Sequence, residues 1–240
     1  MNWVFQSKGL IDRYNKEIHI GEQPIRVLNN MNEFMFQNTH PNFNAELDKA
    51  VELHSFNKEI EIRYDQSAKI RTPYIRNTDK TVVIEESFLS YLWCICHSVY
   101  TEYVLEIDYP RINEQVGYIK HSIDLTTLES SNSLFDYAKS LIIYFTQWDK
   151  NIMPNPERYD AEKRDFIEQP NMFYTEAIKF ILCHEYIHGI KHIDEINAKK
   201  HETPHFLTFE KEADHDSIEL IKKGILPSRI NELAIHIGVT

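Results

Sequence analysis

The sequence predicts an α+β fold, mainly helical, with a small mixed or antiparallel sheet in its first half. Three observations predict it. Charged and apolar residues alternate through Glu59-Ile60-Glu61-Ile62-Arg63-Tyr64-Asp65, the mark of a half-exposed strand. Two further short runs, Ile70 to Ile75 and Thr81 to Ile84, read as strands, with Pro73 favouring an edge position. From residue 88 onward, apolar residues recur mostly at three- and four-residue intervals, the helical period. A chain of 240 residues with 42% hydrophobic and 12% aromatic content can bury a real core. One domain with an appended segment follows, the segment being residues 1–50 and the main domain 51–240.

Taken in order, residues 1–50 hold two helix-like stretches, Ile25 to Met35 and Phe43 to Val51, separated by Pro41, and form an N-terminal helical cap. After the strands, Phe88, Leu92, Ile95, Val99 and Tyr103 stack along one long helix, 88–106. Cys94 and Cys96 point to different sides of it and read as core thiols rather than a metal clip. Residues 107–132 are polar and irregular. Ser133 is placed to cap a helix carrying Leu134, Tyr137, Ala138, Leu141, Phe145 and Trp148. Residues 150–170 have no clean period and read as a loop, either a surface connection or a wall of the cleft. A helix across residues 180–192, a polar loop over 197–205 and a helix ended by Gly224 follow. Pro227 starts a last apolar-periodic segment through Ile230, Leu233, Ala234 and Ile237.

A net charge of −11 argues against nucleic acid and anionic membranes as partners, since both require positive surface. Three cysteines fit a reducing compartment rather than a disulfide scaffold. There is no basic, apolar leader and no uncharged run of roughly 18 residues, so a soluble cytoplasmic protein is expected. No feature specifies an oligomeric state.

The chemistry concentrates in His184-Glu185-Tyr186-Ile187-His188. On a helix this His-Glu-x-x-His run brings His184 and His188 to one face, one turn apart, where both can bind a single Zn²⁺ ion. Glu185 beside them can accept a proton from water. By themselves the two histidines could equally be helix-face residues satisfied by neighbouring carboxylates. The second feature, Glu210-Lys211-Glu212-Ala213-Asp214, decides for a metal site. Glu210 and Asp214 share a helical face four residues apart, offering a third ligand and an acceptor for the free N–H of a ligating histidine.

These residues resemble the gluzincin metallopeptidases, whose signature is His-Glu-x-x-His followed by Glu-x-x-x-Asp on a later helix. The resemblance implies His184, His188 and Glu210 as ligands of one Zn²⁺, Glu185 as the catalytic base and Asp214 as the partner of a ligating histidine. It implies a sheet packed against the active-site helix, as in small gluzincins, whose edge strand pairs with an extended protein or peptide substrate. Metzincin spacing fails, because Lys191 and Asp194 stand where that family needs Gly and His. His192 lies about 12 Å along the axis from His184, too far to join both histidines on one ion. A histidine there, with Glu210-Lys211-Glu212-Ala213, is similar to the repressor-cleaving and radiation-response peptidases, and makes Glu212 a competing ligand. His201, His205, His215, Tyr174 and Tyr186 are candidate donors to the oxyanion of peptide hydrolysis. Cys183 points about 100° from His184 and reads as core.

Over residues 59–106 and 171–223 the chain looks most like the phage-exclusion (Lit-type) peptidases. That resemblance implies a zinc-dependent endopeptidase that cuts one specific protein in phage defence. The alternatives are a regulatory protease that cleaves a repressor, and a non-catalytic metal-binding or sensor protein.

Overall fold

The structure, a computed structural model, describes residues 2–4, 13–66, 69–158, 160–198 and 203–224; the side chains of residues 2–4, 197 and 203–205 lie outside that description. A short first strand, β1 (Asn2–Val4), leads to a 3₁₀ turn at Pro24–Leu28 and two helices, α1 (Asn29–Gln37) and α2 (Phe43–Glu52). The alternating segment becomes β2 (Glu59–Arg63), with Ile60 and Ile62 buried. Two strands follow, β3 (Tyr74–Ile75) and β4 (Val82–Glu85). The four form one mixed sheet in the order β1-β2-β4-β3. β2 and β4 run parallel, with Ile60 opposite Val82, while β1 and β3 are the antiparallel edges. The fold is α+β and mainly helical, as expected.

Helix α3 (Glu86–Glu102) passes through a π-helical turn at Tyr103–Asp108 into α4 (Tyr109–Val116). Its buried face differs from the expected stripe. Leu89, Trp93, Cys94, His97, Ser98 and Thr101 face the core, whereas Val99 and Tyr103 are exposed. Small and polar side chains occupy this face because two helices press on it, and they bond there: Trp93 Nε1 donates to Asn171 Oδ1 (2.7 Å), and Ser98 Oγ to the Ser131 carbonyl (3.0 Å). Hydrophobicity alone cannot locate such a face.

The next helix, α5 (Leu125–Ile143), begins eight residues before Ser133. Asp124 caps it, accepting from the Thr126 and Thr127 N–H groups at 3.0 and 3.1 Å. Ser133 sits mid-helix and returns its hydroxyl to the Glu129 carbonyl. Leu134, Tyr137, Ala138 and Leu141 are buried as the period predicts. Trp148, beyond the helix end, still packs between Trp93 and Tyr137.

The structure is organised around α6 (Asp165–Ile187). It starts earlier than the sequence implied and carries Pro170 as its sixth residue, where the ring removes one i→i−4 bond near the N-terminal end. Buried residues surround α6 almost completely, as in a helix at the centre of a core. Asn32 of α1 donates to the Tyr174 hydroxyl (3.2 Å), so the N-terminal helices pack into the same core as α3 and α6. A π-helical turn at His188–His192 and α7 (Ile193–Ala198) continue α6, and α8 (Thr203–Lys222) returns along it. Gly224 follows α8 without positive φ; the Thr39 carbonyl lies where its Cβ would stand, so close approach requires glycine there, not a left-handed turn. The segment from Pro227 lies outside the described residues. No helix among them is long and apolar enough to cross a membrane.

Glu86, at the start of α3, accepts from the Gln23 N–H (3.1 Å) and Glu22 N–H (3.4 Å) just ahead of the 3₁₀ turn. Burial pushes its carboxyl up to about 7, against those bonds and the Arg26 charge. An unfolded glutamate titrates near about 4.3. The folded state therefore keeps a proton that the unfolded chain has released. The contribution is fully present below about pH 4.3 and is lost as pH rises through 7. Glu86→Gln should remove this fall, by up to roughly 3 kcal/mol at pH 8. Urea unfolding of both proteins at pH 5 and 8 tests it, and parallel stability losses would contradict it.

Candidate metal centre

Residues 184 and 188 are one helical turn apart, so one face of α6 and the π-helical turn that continues it presents both imidazoles. That face meets α8, whose buried Ala213 and Ser217 are small enough to let the two helices approach closely. Glu210 and Asp214 flank that contact on the exposed side of α8. Glu210 Oε2 lies 3.3 Å from His184 Nε2, and its Oε1 lies 3.4 Å from His188 Nε2. One ligand atom from each of His184, His188 and Glu210 falls within 4.8 Å of the others. Four donors held at 2.0–2.1 Å around a tetrahedral ion stand about 3.3–3.4 Å apart. Each imidazole stands at that spacing from one of the two Glu210 oxygens, and a single oxygen closes the set within 4.8 Å. The two Nε2 atoms, 2.9 Å apart, need only a small side-chain rotation to reach it.

Protonation fits as well. A ligating histidine must present a bare nitrogen. Burial, and then the neighbouring His184 and His192, push His188 down to about 4, so it is neutral at pH 7. His184 Nδ1 lies 2.9 Å from Asp214 Oδ1, which places its proton there and leaves Nε2 free.

Glu185 is about 100° around α6 from His184 and faces β3 instead of α8. It is buried, and its Oε2 accepts from the Ile75 N–H at 2.8 Å. Burial pushes its carboxyl up to about 8; the Ile75 bond opposes that rise and the Glu210 charge adds to it. The sequence does not show that Ile75 contact. Its only signal is the position of Ile75 on a short edge strand.

Gly189 brings α6 against the sheet. An added Cβ would meet the Ser55 carbonyl oxygen at 2.6 Å and Ile75 Cδ1 at 2.9 Å. Gly189→Ala must displace the Ser55 backbone, while the end of the Ile75 side chain can turn aside, at a cost of about 1–3 kcal/mol. A thermal melt with a midpoint equal to wild type would refute this contact.

The remaining candidates separate cleanly. Glu212 points past the centre, pairing with Lys191 Nζ (3.1 Å) and lying 3.4 Å from His192 Nε2. His192 is buried behind His188. Tyr174 and Tyr186 are core residues: Tyr174 is fully buried against Asn32, and Tyr186 packs on Phe43 and Phe56. Neither is an oxyanion donor. His215 is exposed on α8. The side chain of His205, and all of His201, lie outside the described residues. Cys183 is buried beside Thr39 Oγ1 (3.5 Å), in the core as expected. The loop before α6 does not wall the centre, because it ends at Arg164, about 30 Å along the helix axis from His184.

The model of one family, described as Peptidase U49, matches residues 82–240, about two thirds of the chain. No curated protein and no solved structure matches it.

Proposed function

The chain belongs to the Peptidase U49 family, and from that membership and the geometry of the centre we propose that it is a zinc-dependent endopeptidase acting on one specific protein. The observation that carries the metal is the convergence of His184, His188 and Glu210, from two helices distant in sequence, within 4.8 Å. Their donors are those of a catalytic zinc site, two imidazoles and a carboxylate. When bound there, one Zn²⁺ ion supplies Lewis acidity to water and to a substrate carbonyl.

The protein's own groups supply the rest. Asp214 holds the His184 proton on Nδ1. The Ile75 N–H fixes one oxygen of Glu185, leaving the other to take a proton from water and return it to the departing amine. Burial that raises the Glu185 carboxyl makes its protonated form easier to reach, which suits a group that must hold a proton before releasing it. β3, at the sheet edge beside α6, offers an extended peptide main-chain pairing across the site.

The resemblance to the phage-exclusion peptidases supports a single host protein as substrate and a role in aborting infection. The test compares new protein termini in host cells expressing wild type or Glu185→Gln, alongside metal analysis of the purified protein. Cleavage of a defined protein by wild type alone, with zinc bound, is expected. Identical terminus profiles would overturn the protease reading, and a wild-type protein that takes up no zinc would overturn the metal.

A further inference from the structure

We propose that His192, backed by Glu212, is a positioning residue that fixes the tautomer and ring orientation of His188. The inference rests on the zinc reading above and assigns a role to a histidine that reading leaves unused. Asp214 serves His184 directly. Among the described residues no carboxylate bonds the Nδ1 of His188, which lies 3.1 Å from His192 Nδ1.

The π-helical turn at 188–192, with its wider i→i+5 bonding, carries both rings. Their centroids are 5.0 Å apart. The His192 ring also stacks on Phe209, at 4.8 Å and 24° between planes, and is almost wholly buried. Phe209 immediately precedes Glu210, so His192 is wedged between the ligand His188 on its own π-helical turn and the turn of α8 that carries the third ligand.

Proton placement along this row has one solution. A His188 that offers Nε2 to a metal carries its proton on Nδ1. The Nδ1–H then donates to His192 Nδ1, which must be bare. His192 therefore carries its own proton on Nε2. That nitrogen is buried, makes no hydrogen bond among the described residues, and has Glu212 Oε2 at 3.4 Å. Lys191 holds Glu212 in place. The two ligating histidines are thus braced differently, one by a carboxylate and the other by a carboxylate acting through an imidazole.

A merely structural histidine fills space and stacks, and phenylalanine can do both. His192→Phe keeps a ring on Phe209 but offers no acceptor. His192→Gln loses the ring but can accept from His188 Nδ1. The full-length proteins are compared by zinc competition with a chromophoric chelator, and thermal melts identify any variant that has not folded. His192→Phe should weaken zinc 10- to 100-fold, the usual loss when the group behind a ligand is removed. His192→Gln should recover most of that affinity. Equal affinity for wild type and folded His192→Phe, or a glutamine variant weaker than the phenylalanine one, would overturn the proposal while leaving the zinc site intact. A wild-type protein that binds no zinc would instead overturn the metal reading itself.

Discussion

Glu210→Ala is expected to leave a folded protein that no longer retains zinc and no longer cleaves its substrate. Glu210 is more than half exposed and contributes no core packing, so the metal-free variant should unfold within about 0.5 kcal/mol of metal-free wild type. Among the described residues its carboxylate is the only one that reaches both Nε2 atoms, at 3.3 and 3.4 Å. Two imidazoles alone make an incomplete site for an ion that catalytic centres bind through three protein ligands. Metal analysis after dialysis should fall from about one zinc per chain to background. Unchanged stoichiometry would move the third ligand to Glu212. The structure argues against that, because Glu212 is drawn to Lys191 and stands 3.4 Å from His192 on the far side of the histidine row.

The second large effect is expected from Glu185→Gln, with the opposite pattern. Zinc should remain, because Glu185 is not among the three donors and faces β3. Fold stability should also hold. The amide oxygen can still accept from Ile75 N–H, and a neutral side chain suits a site whose burial already raises the carboxyl. Turnover should fall by roughly 10²–10⁴-fold, the usual contribution of a positioned general base. Cleavage at the wild-type rate by a zinc-loaded variant would remove Glu185 from the chemistry. Loss of zinc would show instead that the residue holds the site together.

Much of the fold is legible because it depends on local period. The alternation at 59–63 forms a strand, and Leu134, Tyr137, Ala138 and Leu141 bury one face of α5. Errors arise where a partner outside the segment decides. The α3 stripe is misplaced because the buried face carries Ser98, His97 and Thr101, which pack tightly but score as polar, Ser98 also bonding to the Ser131 carbonyl. The cap of α5 is missed because Asp124 stands in a polar stretch, while Ser133 precedes the first obvious apolar run.

The sequence by itself determined that His184 and His188 share a helix face with Glu185 beside them, because the 3.6-residue turn fixes such relations without help from the rest of the chain. It also determined that an acidic helix follows. Only the tertiary structure decided which carboxylate of that helix meets the imidazoles, that Ile75 holds Glu185, and that His192 stands behind His188. Those relations depend on how α8 is rotated against α6 and how closely β3 approaches it. Side chains far apart in the chain, Ala213, Ser217 and Gly189 among them, set both by the space they leave.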